Sequence, residues 1–183
     1  LRCREVASRA RRGHMLAPMP LLLGFTVPVV LFLLYVASRP SQFRITRSRV
    51  VRATPGKVFA LINDFHAWVK WSPWEKLDPT MAKDFGGADA GVGATYHWKG
   101  PKSGEGRMTL KESDPDRRVV IDLNFIKPFP ADNLTTFTLE PEGDGTRVTW
   151  TMEGNSNFMS KAFGVFVNLD KMVGKDFEWG LEA

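Results

Sequence analysis

The chain is poor in the residue types that most often carry enzymatic or metal chemistry. It has one cysteine, Cys3, and three histidines in 183 residues. A single cysteine excludes a disulfide within the chain and any site built from several thiolates. The histidines His14, His66 and His97 are too scattered to predict a metal cluster. No Gly-x-Ser-x-Gly motif, P-loop or dinucleotide fingerprint occurs, so we expect no metal, no cofactor and no catalytic set of known type.

Acidic residues are almost absent from residues 1–52, which hold ten arginines and only Glu5. This region therefore carries +9, whereas residues 53–183, with fifteen basic and nineteen acidic residues, carry −4. The overall charge of +5 thus comes from the N-terminal region. A mildly acidic globular part argues against a phosphate-binding surface, so we expect no nucleic-acid partner.

Charge is missing altogether from residues 16–37. A run of this length would form about 33 Å of helix, close to the roughly 30 Å hydrocarbon core of a bilayer. We therefore predict a basic tail over residues 1–15, a transmembrane helix over residues 16–38 with a kink at Pro28, and a linker over residues 39–42. A cleaved signal peptide and a buried soluble helix are the alternatives. The apolar run is long for a signal peptide, and a buried soluble helix would need apolar surroundings on every side.

The basic tail favours a cytoplasmic N-terminus, which would place the rest of the chain outside the cytoplasm. Five arginines follow the apolar run closely and weaken this orientation: Arg39, Arg44, Arg47, Arg49 and Arg52. The expected location is a membrane, spanned once, with the domain on its extracytoplasmic side.

Alternating apolar and polar residues dominate the middle of the chain. The clearest of five such runs after residue 94 covers residues 147–153, where Val148, Trp150 and Met152 share one face. A further strand is expected over residues 43–53. Period-two alternation separated by glycine- and proline-rich turns predicts an antiparallel sheet of about seven strands with one buried face.

Helical patterns flank these strands. Pro55, at the first helical position after Thr54, begins one short helix, and a second short helix or turn follows and ends at Pro73. After Gly154, an apolar stripe at helical spacing predicts a long C-terminal helix. This order predicts an α+β domain over residues 43–183, in which the curved sheet wraps around the C-terminal helix.

Trp68, Trp71 and Trp74 fall within seven residues and make up half of the six tryptophans. Tryptophan is costly to leave in water, and its N–H needs an acceptor when it is buried. This tryptophan cluster therefore marks either a packed corner of the fold or the wall of an apolar cavity, and the sequence leaves both interpretations open.

Several segments resemble the START-like superfamily of helix-grip proteins, also called SRPBCC, and within it the polyketide cyclase/dehydrase and lipid transport group. They are Pro55-Gly56-Lys57-Val58-Phe59, Asn63-Asp64-Phe65, Trp71-Ser72-Pro73-Trp74, Gly91-Val92-Gly93-Ala94, Phe137-Thr138-Leu139-Glu140-Pro141, Gly145-Thr146-Arg147-Val148-Thr149-Trp150 and Met172-Val173-Gly174-Lys175-Asp176-Phe177-Glu178. The resemblance covers Phe43 to the C-terminus and implies the fold more than any chemistry. It also implies that the last helix continues beyond residue 183.

In that superfamily, the long helix and the concave face of the sheet enclose an apolar cavity. The resemblance therefore implies ligand contacts from Trp98, Met108, Leu110, Ile121, Leu123, Phe125, Phe137, Trp150 and Met152 of the sheet, from Phe163, Phe166, Val167 and Asp170 of the helix, and from Phe65, Trp68, Trp71 and Trp74 at the mouth. Trp98 and Trp150 are the strongest candidates, because two large indoles on one face are hard to pack around completely. The alternative is that these residues form an ordinary core.

Three carboxylates adjoin this set. Glu75 and Asp78 follow the tryptophan cluster, and we expect them at the solvated surface. Asp170 lies in the apolar stripe of the predicted helix and is the best candidate for an inward carboxylate, which would need a partner or a raised pKa.

The expected function is binding or transport of a hydrophobic small molecule or lipid by a membrane-anchored domain. A polyketide cyclase or dehydrase would instead need inward groups that transfer protons. An interaction module similar to the Hsp90 activators would need an exposed partner face rather than a cavity. Oligomeric state stays open.

Overall fold

A computed structural model describes residues 19–183 of the protein, with side chains from residue 26 onward. The chain divides into two compact units, one that ends at Ser38 and one that comprises Arg39–Ala183. The expected basic tail over residues 1–15 and the first three residues of the predicted membrane helix lie outside the described residues.

The first unit contains one described helix, α1 (Met19–Ser38), with Pro28 inside it. In the part of the chain that the structure describes, no helix combines the length and the apolar character needed to cross a membrane. The prediction of a transmembrane helix over residues 16–38 is therefore not supported.

The second unit is built on a seven-stranded antiparallel sheet. Its strands are β1 (Gln42–Val51), β2 (Ala82–Gly86), β3 (Thr95–Gly100), β4 (Gly104–Asp114), β5 (Arg118–Lys127), β6 (Ala131–Glu142) and β7 (Gly145–Asn155). Their spatial order is β1-β7-β6-β5-β4-β3-β2. The helices are α2 (Pro55–Asn63), a 3₁₀ helix (Phe65–Lys70), α3 (Pro73–Leu77), α4 (Phe158–Phe166) and α5 (Leu169–Glu182). The predicted α+β fold with about seven antiparallel strands is confirmed.

Strand β2 is the one element of the sheet that the alternation pattern does not predict. It is an edge strand that pairs only with β3, and all of its residues are exposed. A strand without a buried face has no reason to alternate apolar and polar residues, so periodicity cannot mark it.

The predicted long C-terminal helix is wrong in one respect, because the structure has two helices there. Val167 is extended, and Asn168 begins α5 by accepting a 3.0 Å hydrogen bond from the backbone N–H of Lys171. Asn157 begins α4 in the same way. Asparagine is favoured at an N-cap and unfavourable inside a helix, so the second asparagine starts a new helix instead of continuing the first.

Aromatic rings fill the space between α5 and the sheet. The Trp150 and Phe177 rings stack with their centroids 4.0 Å apart and their planes 6° from parallel. Gly180 of α5 lies against this indole, where an added Cβ would come within 3.0 Å of the ring. The absence of a side chain at Gly180 therefore allows the helix to approach Trp150 closely.

The tryptophan cluster is a packed corner. Trp68 and Trp71 are buried, and their indole N–H groups each donate a 3.0 Å hydrogen bond to a backbone carbonyl, of Ile62 and Leu61 respectively. The Trp71 ring meets the Trp150 ring edge-on at 5.6 Å. Trp68 and Trp71 thus close this side of the core with their indole N–H groups satisfied.

Candidate ligand-binding site

The predicted contact residues fall into three groups by burial. Those buried in the core are Phe65, Trp68, Trp71, Trp98, Met108, Leu110, Ile121, Phe137, Trp150 and Met152. Those partly buried and packed against the core are Trp74, Leu123 and Phe125. Phe163 and Phe166 are exposed. The first group forms the filled interior, so the question of a ligand concerns the other two.

Burial decreases along the inner face of β5. Val119 and Ile121 are 0% exposed, whereas Leu123 and Phe125, further along the same face, are only partly buried. Strand β1 shows the same trend from buried Ile45 to partly buried Phe43. The protein's own side chains therefore fill the core at one end of the sheet and leave it thinner at the other end of strands β1 and β5.

One row of the sheet defines this thinner end. Phe43 of β1 pairs with Gly154 of β7, Gly154 pairs with Asn133 of β6, and Asn133 pairs with Leu123 of β5. We call these four residues, together with Phe125, the open end of the sheet. Gly154 leaves room here, because a Cβ at this position would overlap Asn133 Oδ1 and press on the Phe43 ring.

Helix α4 begins near the open end. It begins shortly after β7 finishes, and its Phe163 ring lies 6.4 Å from the ring of Phe129 in the β5–β6 connection. No residue of α4 is buried, although Phe158, Met159 and Phe163 are large and apolar. Phe163 is 50% exposed and Phe166 is 78% exposed, so neither closes over a cavity in this structure, and their predicted ligand contacts stay predictions.

Trp98 lies in the same row of the sheet as Phe125 and is buried. Its indole lies over Gly106 of the neighbouring strand, where a Cβ would overlap the ring, and it meets the Phe125 ring edge-on at 5.9 Å. Its N–H donates a 3.2 Å hydrogen bond to the carbonyl of Ser103. Trp98 is thus a satisfied, buried wall residue, and its predicted ligand contact stays a prediction that depends on access past Phe125.

Asp170 is not an inward carboxylate. Its side chain is 56% exposed and forms a two-point ion pair with the Arg47 guanidinium, with both N–O distances at 3.1 Å. The hydrogen bonds from Arg47 hold the pKa of Asp170 below its ordinary value, against a smaller opposing effect of desolvation. Arg47 also donates a 2.7 Å hydrogen bond to Glu178. The ion pairs fasten α5 to β1, which explains this carboxylate without a ligand.

Glu75 and Asp78 are buried, so the expectation of a solvated position is wrong for both. Asp78 accepts hydrogen bonds from the backbone N–H groups of Lys102 and Ser103, each at 2.9 Å, and these bonds lower its pKa. Glu75 is bound by Lys83 and accepts a 2.9 Å hydrogen bond from the Tyr96 hydroxyl. Burial, and then this hydrogen bond, raise the pKa of Tyr96. Both carboxylates hold α3 and its flanking turn to the sheet.

Asn133 and Thr135 are polar residues of the inner face that periodicity alone did not single out. They continue inward-facing positions of β6 that begin with Leu139 and Phe137, and both are buried. Counting backward by two from Phe137 would have placed them on this face. In the sequence, the indication was that these two polar residues alternate in step with the apolar residues Phe137 and Leu139.

Two hollows occur elsewhere on the described surface. One of about 830 Å³ lies between the start of α2 and the β4–β5 turn, and one of about 610 Å³ lies on the outer face of β2–β5. None of the predicted contact residues lines either hollow. They therefore do not correspond to the predicted cavity.

Similar solved structures share this fold. Protein CV1439 from Chromobacterium violaceum is 20% identical, with a TM-score of 0.55 over 78% of this chain and 94% of that one. Mll3558 from Rhizobium loti is 26% identical, with a TM-score of 0.52 over 73% and 93%. MLL2253 from Mesorhizobium loti is 19% identical, with a TM-score of 0.55 over 76% and 95%. A comparison with curated proteins finds no match.

A family model described as polyketide cyclase/dehydrase and lipid transport matches residues 42–183. The match covers the whole sheet, the filled core around α5 and the open end near α4. The chain therefore belongs to the polyketide cyclase/dehydrase and lipid transport family, within the START-like helix-grip superfamily.

Proposed function

We propose that this domain binds an apolar small molecule or lipid at the open end of the sheet, near α4. The observation that carries the proposal is the decrease in burial along β5, from Ile121 to Phe125, near a helix whose apolar side chains are not buried. An apolar ligand placed there would cover surface that the protein leaves partly in water.

The hydrophobic effect supplies the driving force. A ligand that buries about 300 Å² of apolar area, its own and the protein's together, gains about 7 kcal/mol before the losses of association are subtracted. Leu123, Phe125, Phe163 and Met159 offer apolar surface of this kind. Helix α4 can adjust to a ligand more easily than α5, since no core residue holds α4 in place.

Membership in a family described by lipid transport and by polyketide chemistry supports a hydrophobic ligand. The residues of the open end favour binding over catalysis, because Phe43, Leu123, Phe125, Gly154 and Asn133 include no group that transfers protons near neutral pH. A polyketide cyclase or dehydrase activity would need such a group beside the ligand.

A substitution pair on β5 tests the proposal. Leu123→Trp places bulk at the open end, whereas Ile126→Trp places the same bulk on the outer face of the same strand, where Ile126 is exposed. We expect Leu123→Trp to weaken binding of the neutral fluorescent probe N-phenyl-1-naphthylamine about tenfold or more, because it occupies the ligand's place. Ile126→Trp should bind as the wild type does.

Native mass spectrometry of the full chain purified from cells is the companion measurement, since it shows a co-purified small molecule directly. Equal probe binding by the two variants would contradict the proposed site. No probe binding by the wild type, together with a spectrum of bare protein, would contradict ligand binding itself and favour an interaction module that uses the α4 face.

A membrane location stays a prediction from the uncharged run over residues 16–37, and a domain outside the cytoplasm stays a prediction from the charge pattern of residues 1–52. Fractionation of cells that express the full chain would test it.

A further inference from the structure

Three buried polar atoms on the inner face have no hydrogen-bond partner within the described residues. They are Asn133 Oδ1, Thr135 Oγ1 and Trp150 Nε1, and their residues are 7%, 3% and 2% exposed. A polar atom that is removed from water without a new partner carries a free-energy penalty, so such atoms are rare in folded proteins. Three of them on two neighbouring strands therefore require an explanation.

The three atoms belong to consecutive rows that lead inward from the open end. Asn133 lies in the open-end row, between Gly154 and Leu123. Thr135 lies one row further in, paired with Met152, and Trp150 lies in the next row, paired with Phe137. Side chains at directly opposite and diagonal positions of neighbouring strands are within reach of one another. Asn133 and Thr135 thus place two unsatisfied groups in adjacent rows at the open end, whereas Trp150 lies one row deeper, between the rings of Phe137 and Phe177.

Other buried indoles of this domain are treated differently. The N–H groups of Trp68, Trp71 and Trp98 each donate to a backbone carbonyl. The fold therefore supplies acceptors where an indole serves packing alone. The amide oxygen of Asn133 lies against Gly154. The missing side chain of this glycine gives the oxygen space, but the surrounding backbone gives it no hydrogen-bond donor.

We propose that Asn133 and Thr135 form the polar end of the ligand site and select an apolar ligand that carries a hydroxyl group. This inference rests on the proposed function. The amide oxygen of Asn133 only accepts hydrogen bonds, whereas the Thr135 hydroxyl can both donate and accept them. A ligand hydroxyl placed beside these two residues can donate to Asn133 and accept from Thr135. An ether, a ketone or a carboxylate has no proton for Asn133 Oδ1, so it leaves that acceptor unpaired.

Two probes of nearly equal shape test the selection. 2-Naphthol has a hydroxyl, whereas 2-methoxynaphthalene can only accept a hydrogen bond. We expect wild-type protein to bind 2-naphthol about tenfold more tightly, since one buried hydrogen bond is gained and one acceptor is no longer left unpaired. The measurement is isothermal titration calorimetry with the full chain.

Two nearly isosteric variants remove the polar atoms, Asn133→Leu and Thr135→Val. Each should reduce the preference for 2-naphthol to about twofold or less and leave the affinity for 2-methoxynaphthalene unchanged or higher. Asn124→Leu is the matched control, because Asn124 lies on the outer face of β5 and donates a 2.7 Å hydrogen bond to Asp132. This control should keep the wild-type preference.

Thermal unfolding without ligand separates this explanation from a structural one. If the two polar groups lack partners in the unliganded protein, Asn133→Leu and Thr135→Val should leave Tm unchanged or raise it. A lowered Tm in both variants would show that these groups already have partners, and it would overturn the inference.

The remaining outcomes distinguish the inference from the proposed function. Equal affinity of the wild type for both probes, or an undiminished preference in both variants, would overturn the selection of a hydroxyl. If the wild type bound the two probes and Leu123→Trp did not, the proposed function would stand. Failure of the wild type to bind either probe, with no small molecule seen by native mass spectrometry, would overturn both.

Discussion

Truncation of two neighbouring inner-face residues of β5 provides a direct measure of how the core thins toward the open end. Ile121→Ala removes three carbons from a side chain that is 0% exposed, whereas Leu123→Ala removes three carbons from one that is only partly buried. The two positions share a strand, a face and nearly the same chemistry, so the difference between them reports on packing alone.

The expected costs follow from burial. At Ile121, the lost transfer free energy is about 2.4 kcal/mol for three fully buried carbons, and the cavity adds about 1 kcal/mol or more, for a total of about 3–4 kcal/mol. At Leu123, which is mostly but not fully buried, the larger part of the transfer free energy is lost and no closed cavity forms, so the free energy of unfolding should fall by about 1.5–2 kcal/mol.

Urea unfolding followed by circular dichroism, on protein freed of bound small molecules, measures both values from the shift in midpoint at constant m-value. The reasoning fails if Leu123→Ala destabilises the domain as much as Ile121→Ala does. That result would mean that the open end is packed as densely as the rest of the core, and the ligand site would lose its basis.

Two further predictions concern the contacts that hold the helices to the sheet. Gly174→Ala should lower the free energy of unfolding by up to about 1 kcal/mol despite the higher helix propensity of alanine, because the new Cβ would displace the Arg47 guanidinium from its ion pairs with Asp170 and Glu178. Gly164→Ala, with no atom within 4 Å, should instead raise it by up to about 1 kcal/mol in the same urea assay. Destabilisation by both would point to a general effect of helix substitutions. Asp78→Asn should destabilise the domain near neutral pH, since the folded-state pKa of Asp78 lies below its unfolded value of about 3.9. Its contribution is therefore present above about pH 4 and is lost as pH falls through the folded pKa, so unfolding curves from pH 7 to pH 3 should show the wild type and the variant converging; a constant gap would contradict this.

The strand pattern could be predicted because one face of each central strand is buried. Val148, Trp150 and Met152 alternate with polar residues, and all three lie on the inner face of β7. Strand β2 has no buried face and was not predicted. The break between α4 and α5 at Asn168 was also not predicted, because the apolar stripe continues through it and the cap acts only through a local hydrogen bond with the backbone N–H of Lys171.

The site was predicted less well than the fold. An apolar stripe at helical spacing, such as Phe163 and Phe166, indicates a face that avoids water, but it does not indicate what covers that face. Glu75 and Asp78 were expected in solvent because carboxylates usually lie there, and their burial depends on partners distant in sequence, among them Tyr96 and Ser103.

Local pattern alone determined the antiparallel α+β architecture and the resemblance to helix-grip proteins, since periodicity, caps and turn residues act over a few neighbouring positions. Tertiary structure alone decided that the tryptophan cluster is packed, that Asp170 is paired with Arg47, and that the interior is full at one end and thin at the other. Packing decides these points because the volume left between a helix and a sheet depends on side chains from strands far apart in sequence. The total volume of those side chains cannot be read from any short segment.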